Sequence, residues 1–119
     1  MTQSDLPQFR QLACNQAFSI SKHAYNQMLK RDISYDDVEA ILSSNTNQII
    51  ECQSPSSTPG KEHCDERILI YDPMYFKAVI LVCIIHFYPA PEIRIVTTEI
   101  VDEGKWIKKD GANPCLVRK

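Results

Sequence analysis

The sequence predicts an α+β fold, in which an N-terminal helical pair is followed by a mostly antiparallel sheet of three to four strands. Two helix-capping signals stand close together, at Ser21 and at Ser34. After Asn47 the helical spacing of apolar residues gives way to short runs rich in valine and isoleucine, which are typical of strands. With 119 residues, of which 44% are hydrophobic, the chain is long enough for one domain with its own core.

The first predicted helix begins after Ser21, which is a suitable N-cap residue. Its apolar residues recur at helical spacing and form one arc, which consists of Ala24, Tyr25, Met28 and Leu29. The opposite, polar arc consists of His23, Asn26, Gln27, Lys30 and Arg31. This pattern predicts an amphipathic helix.

The second predicted helix begins at a capping box formed by Ser34 and Asp37. The Asp37 carboxylate would accept hydrogen bonds from free N–H groups and oppose the positive end of the helix dipole. Val38, Ile41 and Leu42 continue an apolar face until polar residues 43–47 end it. The helical pair is therefore expected to extend from Ser21 to Leu42.

Four strands are predicted in the second half of the chain. They are Gln48–Gln53, Arg67–Tyr71, Ala78–Tyr88 and Ile93–Ile100. Residues 54–64, rich in proline, glycine and serine, are expected to form a long loop between the first two.

The last two predicted strands are joined by the short segment 89–92, which indicates an antiparallel hairpin. If Tyr88 lies opposite Ile93, then His86 lies opposite Ile95. In this register His86 is on one face of the sheet, while Arg94 and Thr98 share the other. We therefore expect His86 to be a core or edge histidine.

The chain is expected to consist of a lead-in (1–17), a single α+β domain (18–101) and a polar C-terminal tail (102–119). The first eighteen residues lack the apolar segment of a signal peptide, and the longest apolar stretch, Ala78–Phe87, is too short for a membrane-spanning helix. Five irregularly spaced cysteines without a Cys-x-x-Cys pair suit a reducing compartment. We expect a cytoplasmic protein that does not associate with membranes.

One candidate site lies on the polar arc of the first helix. Spacings of four and seven residues place His23, Gln27 and Lys30 on one stripe, with Arg31 at its edge. An imidazole, an amide and two cations arranged in this way suit a phosphate. The simpler interpretation is a solvated helix face.

A second candidate site lies on the sheet, where Tyr71, Arg94 and Thr98 are polar residues of predicted strands. A metal site would have to combine Cys52, His63, Cys64 and His86, which lack the paired spacing that zinc ligands usually show. The chain has only three glycines and no glycine-rich phosphate loop. We expect no metal and no cofactor.

Residues 20–38 resemble a family known as domain of unknown function 4258. Its pattern is His-Ala, then Arg-Met, then Arg-x-Ile, and a Val four residues beyond the following Ser. The matching residues are His23, Ala24, Met28, Arg31, Ile33 and Val38. Gln27 stands where the family usually has Arg, and Asp32 where it has Gly. Residues 94–98 resemble the family's final strand, so the resemblance covers roughly residues 18–100.

The resemblance implies a small bacterial protein whose helix–helix–sheet order is similar to toxins of the RelE and BrnT type, which cut RNA without a metal. It implies a metal-independent ribonuclease-like toxin of a toxin–antitoxin system, with RNA and a small antitoxin-like protein as partners. The catalytic candidates are His23, Arg31 and Arg94. The substrate-binding candidates are Gln27, Lys30, Tyr71 and Thr98.

The alternative is a non-catalytic protein-binding or regulatory module. In that case His23 and Arg31 are structural and tie the helical pair to the sheet. The net charge of −2 excludes a broadly basic surface, so any contact with RNA must use a local patch. The sequence leaves both functions open.

Overall fold

The computed structural model describes residues 3–57, 59, 65–86 and 89–119. A short 3-10 helix, Gln3–Asp5, precedes the helices α1 (Leu6–Cys14), α2 (Lys22–Arg31) and α3 (Tyr35–Ser43). The strands are β1 (Phe18–Ile20), β2 (Gln48–Gln53), β3 (Arg67–Tyr71), β4 (Val79–His86), β5 (Glu92–Ile100), β6 (Trp106–Lys108) and β7 (Leu116–Arg118). The predicted α+β class is confirmed.

Five strands form the main sheet in the order β1-β5-β4-β3-β2, and β6 and β7 form a separate antiparallel pair. The main sheet is mixed, because β1 runs parallel to β5 while the other neighbours are antiparallel. The predicted sheet of three to four strands thus lacked β1. A strand of three residues is too short to show the alternation on which the prediction depended.

The predicted register of the last two strands is wrong. His86 lies opposite Glu92, and Ile85 lies opposite Ile93; the expected partner Tyr88 lies outside the described residues. Strand β4 ends at His86 and β5 begins at Glu92, whereas the prediction continued the pairing to Tyr88 and Ile93. The pairing of β4 with β5 is also irregular, because its register shifts between Val82 and Cys83. Thr98 therefore lies opposite Leu81.

The two faces of the sheet pack against different elements. On the helix face, Leu6, Phe9 and Ala13 of α1 join α2, α3 and one side of the strands in a large core. On the other face, which we call the hairpin face, the core consists of Ile50, Leu69, Tyr71, Ile80, Val82, Trp106, Cys115 and Leu116. Both end segments, expected as a lead-in and a polar tail, therefore supply buried side chains.

Both predicted helix caps are confirmed. The Ser21 side chain accepts a hydrogen bond from the N–H of Ala24 at 3.1 Å. The two bonds of the capping box between Ser34 and Asp37 are both present.

The orientation of α2 differs from the prediction. Tyr25 and Leu29 were placed on the apolar arc, yet they are 53% and 68% exposed. Ala24 and Met28 are buried, and Gln27 and Arg31 turn toward β5. The helix is rotated because polar atoms of these two side chains are needed at the edge of the sheet.

Candidate functional site

Three of the predicted site residues meet where α2 crosses β5. Gln27 Oε1 accepts a hydrogen bond from the Thr98 N–H at 2.8 Å, and Arg31 Nη1 donates to the Thr98 carbonyl. The strand β1 pairs with β5 only from Ile93 to Ile95. Beyond that point the backbone of β5 would be unpaired on this side, which is costly for a buried strand. Gln27 and Arg31 therefore take the place of the missing strand.

The side chain of Thr98 makes no comparable contact. Thr98 is fully buried, and its Oγ1 has no hydrogen-bond partner among the described residues. A hydroxyl buried in this way lowers stability, because it has lost water without gaining a partner. Its burial under α2 does not suit the predicted role in substrate binding.

We expect Thr98→Val to raise the free energy of unfolding by about 1 kcal/mol, because it removes the buried hydroxyl while keeping the shape and both backbone hydrogen bonds. Urea unfolding of the purified protein measures the change. Thr97→Val, at the half-buried neighbour, is the matched control and should change little. A loss of stability in Thr98→Val that Thr97→Val does not show would contradict this account.

The other two predicted residues of α2 face away from the sheet. His23 and Lys30 are exposed, and neither side chain has a hydrogen bond within the described part of the chain. They lie seven residues apart, which is roughly 10 Å along the helix axis. This separation favours independent contacts over one compact anion site.

Arg94 lies on the hairpin face, opposite Ile84, and its Nη1 donates to Ser19 Oγ at 3.4 Å. Its neighbours Ile93 and Ile95 point into the helix-side core. The sheet therefore separates Arg94 from His23 and Arg31. The expectation that Arg94 and Thr98 share a face is wrong, because the register shift near Val82 reverses the alternation between them.

Tyr71 also lies on the hairpin face, but in its core beside Trp106 and Leu116. Burial raises the pKa of its hydroxyl above the ordinary value. Because the β6–β7 hairpin covers Tyr71, the predicted group of Tyr71, Arg94 and Thr98 does not form a single site.

A different set of polar residues is brought together on the hairpin face. One row crosses all five strands: Gln53 lies opposite Arg67, and Arg94 lies opposite both Ile84 and Ser19. Continuing the register of β3 and β4 by one residue sets Arg67 opposite Ile84. We call this the arginine row; it consists of Gln53, Arg67, Ile84, Arg94 and Ser19.

The geometry of the arginine row suits a phosphate. Neighbouring strands are about 4.8 Å apart, so Arg67 and Arg94 start roughly 10 Å apart on either side of Ile84. Their side chains are half-buried and long enough to reach an anion above Ile84, although Arg94 must first leave its contact with Ser19. None of the row belongs to the core under the hairpin.

An exposed imidazole lies next to this point. His86 is two residues beyond Ile84 on β4, so it shares the same face at about 7 Å along the strand. Its cross-strand partner is Glu92, whose carboxylate can accept a hydrogen bond from one ring nitrogen. Two arginines and a histidine thus occupy positions around Ile84 on one face of the sheet.

This arrangement could not be predicted with the expected pairing of the last two strands, because that pairing placed Arg94 and His86 on opposite faces of the sheet. The alternation of isoleucines with polar residues nevertheless indicates on which face of the sheet the two arginines lie. Ile68 and Ile70 point into the helix-side core, as do Ile93 and Ile95. Arg67 and Arg94 must then point to the opposite face.

No metal cluster is found in the part of the chain that the structure describes: no three histidine, cysteine or acidic side chains there are arranged to hold an ion. The metal set considered from sequence includes His63 and Cys64, which lie outside the described residues. Cys52 is exposed, and Cys83 is buried in the helix-side core. Among the described residues, no helix is both long enough and apolar enough to cross a membrane.

Comparison with known proteins supports the resemblance seen in the sequence. The family model described as Domain of unknown function (DUF4258) matches residues 20–100. This segment runs from the end of β1 to the end of β5, and it contains the arginine row apart from Ser19, together with His86. No curated protein and no solved structure matches the chain. Because the family model covers more than half of its length, the chain belongs to the DUF4258 family.

Proposed function

We propose that the chain is a metal-independent ribonuclease that binds a phosphodiester on the arginine row. The observation that carries this proposal is the position of Arg67, Arg94 and His86 around Ile84 on one sheet face. Paired guanidinium groups bind phosphate oxygens in a fixed geometry. A neighbouring histidine supplies proton transfer.

RNA is the substrate that these groups suit, because its 2′-hydroxyl is a built-in nucleophile. His86 takes the proton of this hydroxyl, and the 2′-oxygen then attacks the adjacent phosphorus. The bond from phosphorus to the 5′-oxygen breaks, which leaves a 2′,3′-cyclic phosphate and a 5′-hydroxyl whose proton comes from water. Arg67 and Arg94 stabilise the negative charge that grows on the non-bridging oxygens.

We base the wider role on the analogy in helix–helix–sheet order between this family and toxins of the RelE type. In that role the chain is the RNA-cleaving toxin of a toxin–antitoxin pair, and a small antitoxin-like protein is its partner. The proposal moves the acid–base function from His23 to His86 and keeps Arg94 as a phosphate-binding residue. It leaves Arg31 and Gln27 with the structural role that their bonds to Thr98 give them.

The test is cleavage of a labelled single-stranded RNA by the purified chain in the presence of EDTA. Wild type should release a product that ends in a 2′,3′-cyclic phosphate, and RNA with a 2′-deoxy residue at the cleaved position should stay intact. His86→Ala should lower kcat by at least about 100-fold. Arg67→Ala and Arg94→Ala should each lower it by about 100-fold.

Two control variants locate the activity. Lys109→Ala removes an exposed cation from the loop after β6 and should cleave like wild type. His23→Ala removes the other exposed histidine among the described residues, and its cleavage is compared with that of His86→Ala. Loss of cleavage in His23→Ala but not in His86→Ala would place the base on α2 and refute the arginine row as the site.

The second candidate function is a non-catalytic protein-binding or regulatory module. The observation in its favour is that Gln27 and Arg31, on the helix that carries the family motif, are bonded to the backbone of Thr98. These residues then fix α2 to the sheet and do not contact a substrate. Intact RNA after long incubation with folded wild type would favour this candidate.

A further inference from the structure

The exposed side of α2 carries an apolar stripe that its own fold does not cover. Tyr25 and Leu29 are 53% and 68% exposed. They are four residues apart, so their side chains are neighbours on the helix surface. Large side chains exposed together in this way are typical of surfaces that bind another protein.

The charged side chains of α2 itself, from Lys22 to Arg31, all have one sign. Lys22 and Lys30 are exposed on the same side of the helix, and α2 contains no acidic residue from Lys22 to Arg31. Lys22 lies seven residues before Leu29, and both therefore project in nearly the same direction. The surface thus combines apolar area with positive charge, although the whole chain has a net charge of −2.

The helix is held rigidly at both ends of this surface. Ser21 caps its first turn, and the bonds from Gln27 and Arg31 to Thr98 fix its last two turns to β5. A surface that is already ordered loses less conformational entropy when a partner binds. This favours α2 as a preformed docking surface.

A further exposed ring lies beside the C-terminal end of α2. Lys77 Nζ donates to the carbonyl of Asp32 at 2.9 Å and lies 5.6 Å from the centre of the Phe76 ring. Phe76 is 80% exposed. Lys77 therefore lies between the C-terminal end of α2 and this exposed ring, which places Phe76 near the apolar stripe.

We propose that the exposed face of α2, formed by Lys22, Tyr25, Leu29 and Lys30 and extended by Phe76, binds an acidic amphipathic segment of a partner protein. Apolar side chains of the segment pack on Tyr25, Leu29 and Phe76, and its carboxylates lie near the lysines. The charge of α2 selects for acidic residues. This surface lies on the helix side of the sheet, opposite the arginine row, so the inference does not depend on ribonuclease activity.

Selection from a displayed library of random 16-residue peptides against the full chain tests this inference. Recovered peptides should be enriched in Asp and Glu together with Leu, Ile and Phe. Synthetic copies should bind at least ten times more weakly to Leu29→Ser and about five times more weakly to Lys30→Glu. Phe76→Ser should weaken binding by a smaller factor.

Matched controls distinguish binding at this surface from nonspecific binding elsewhere on the protein. Ile107 is 43% exposed on β6, so Ile107→Ser removes a comparable apolar side chain elsewhere and should leave peptide affinity unchanged. Lys108→Glu is the matched charge reversal. Failure to recover binders, recovery of basic peptides, or binding that is indifferent to Leu29→Ser and Lys30→Glu would each overturn the inference. A labelled RNA that lost affinity for Lys30→Glu but not for Arg94→Ala would identify α2 as a nucleic-acid surface instead.

Discussion

Replacing Asp37 with Ala is expected to lower the free energy of unfolding by about 3 kcal/mol, because it removes a helix cap and several hydrogen bonds to a charged group. Asp37 is 4% exposed. Its carboxylate accepts hydrogen bonds from the Ser34 N–H at 2.8 Å, Tyr75 Oη at 2.5 Å and Lys77 Nζ at 2.6 Å. These bonds join the start of α3 to the loop between β3 and β4.

The same cluster predicts how stability depends on pH. Burial raises the pKa of Asp37, but the hydrogen bonds from Lys77, Tyr75 and Ser34 together outweigh it and hold the pKa well below its ordinary value of 3.8. The stabilisation is therefore complete above the ordinary pKa and is lost as the pH falls below it. Burial and the bond to Asp37 raise the pKa of Tyr75 from 10.0 to about 12. Its contribution is complete below pH 10.0 and is lost as the pH rises through about 12.

Urea unfolding at pH 7 measures the loss of stability in Asp37→Ala, and comparison with pH 3 measures the acid dependence that Asp37 causes. Wild type should be less stable at pH 3, and Asp37→Asn should lose less on the same change of pH, because it cannot be protonated. Asp36→Ala is the matched control, since Asp36 is an exposed carboxylate in the same helical turn. Equal losses in Asp37→Ala and Asp36→Ala, or an unchanged pH dependence in Asp37→Asn, would show that the cluster is not a source of stability.

The part of this cluster that lies within one helical turn could be predicted. Ser34 and Asp37 are three residues apart, and a capping box depends on little beyond that spacing. Tyr75 and Lys77 contact Asp37 across 38 and 40 residues of sequence. Only the packing of the loop after β3 brings them there, and no local pattern encodes that packing.

The orientation of α2 also depends on contacts between distant parts of the chain. Tyr25 and Leu29 fit a helical apolar arc as well as Ala24 and Met28 do, so hydrophobicity alone could not tell which side was buried. The deciding factor was the unpaired backbone of Thr98, which requires two polar side chains at a spacing of four. That requirement exists only because β1 is too short to reach Thr98.

One departure from the family pattern has a direct structural explanation. Asp32, which stands where the family has Gly, ends α2 with φ at 54°, in the left-handed region. Glycine adopts this conformation without strain, and aspartate is among the residues that tolerate it. The pattern of the family at this position therefore reports a helix end and gives no information on catalysis.

Replacing Asn47 with Ala is expected to lower the free energy of unfolding by about 3 kcal/mol, because it breaks three hydrogen bonds in a buried position. Asn47 is 2% exposed. Its Nδ2 donates to the carbonyls of Ile41 at 2.8 Å and Leu42 at 3.0 Å, which are otherwise free at the end of α3. Its Oδ1 accepts from Arg10 Nε of α1 at 2.8 Å.

Asn47 bonds both to Arg10 of α1 and to the carbonyls at the end of α3. A double-mutant cycle with Arg10→Ala separates the energies of these two contacts. Arg10 also donates to the Asn47 backbone carbonyl at 3.0 Å, a bond that Asn47→Ala leaves in place. The Arg10 side chain should therefore keep part of its effect in the Asn47→Ala background, with a coupling energy of about 1 kcal/mol. Asn45→Ala, at an exposed position two residues earlier, is the control and should be nearly neutral.

Asn47→Asp sharpens the test, because it keeps the acceptor for Arg10 but replaces the donor with a carboxylate facing two carbonyl oxygens. If the bonds to the end of α3 dominate, Asn47→Asp should be at least as unstable as Asn47→Ala at pH 7 and should recover part of the loss when the carboxylate is protonated at low pH. If the bond to Arg10 dominates, Asn47→Asp should be the more stable of the two, because its ion pair with Arg10 is retained. The order of the two variants therefore decides whether Asn47 acts mainly on the end of α3 or on the contact between α1 and the start of β2.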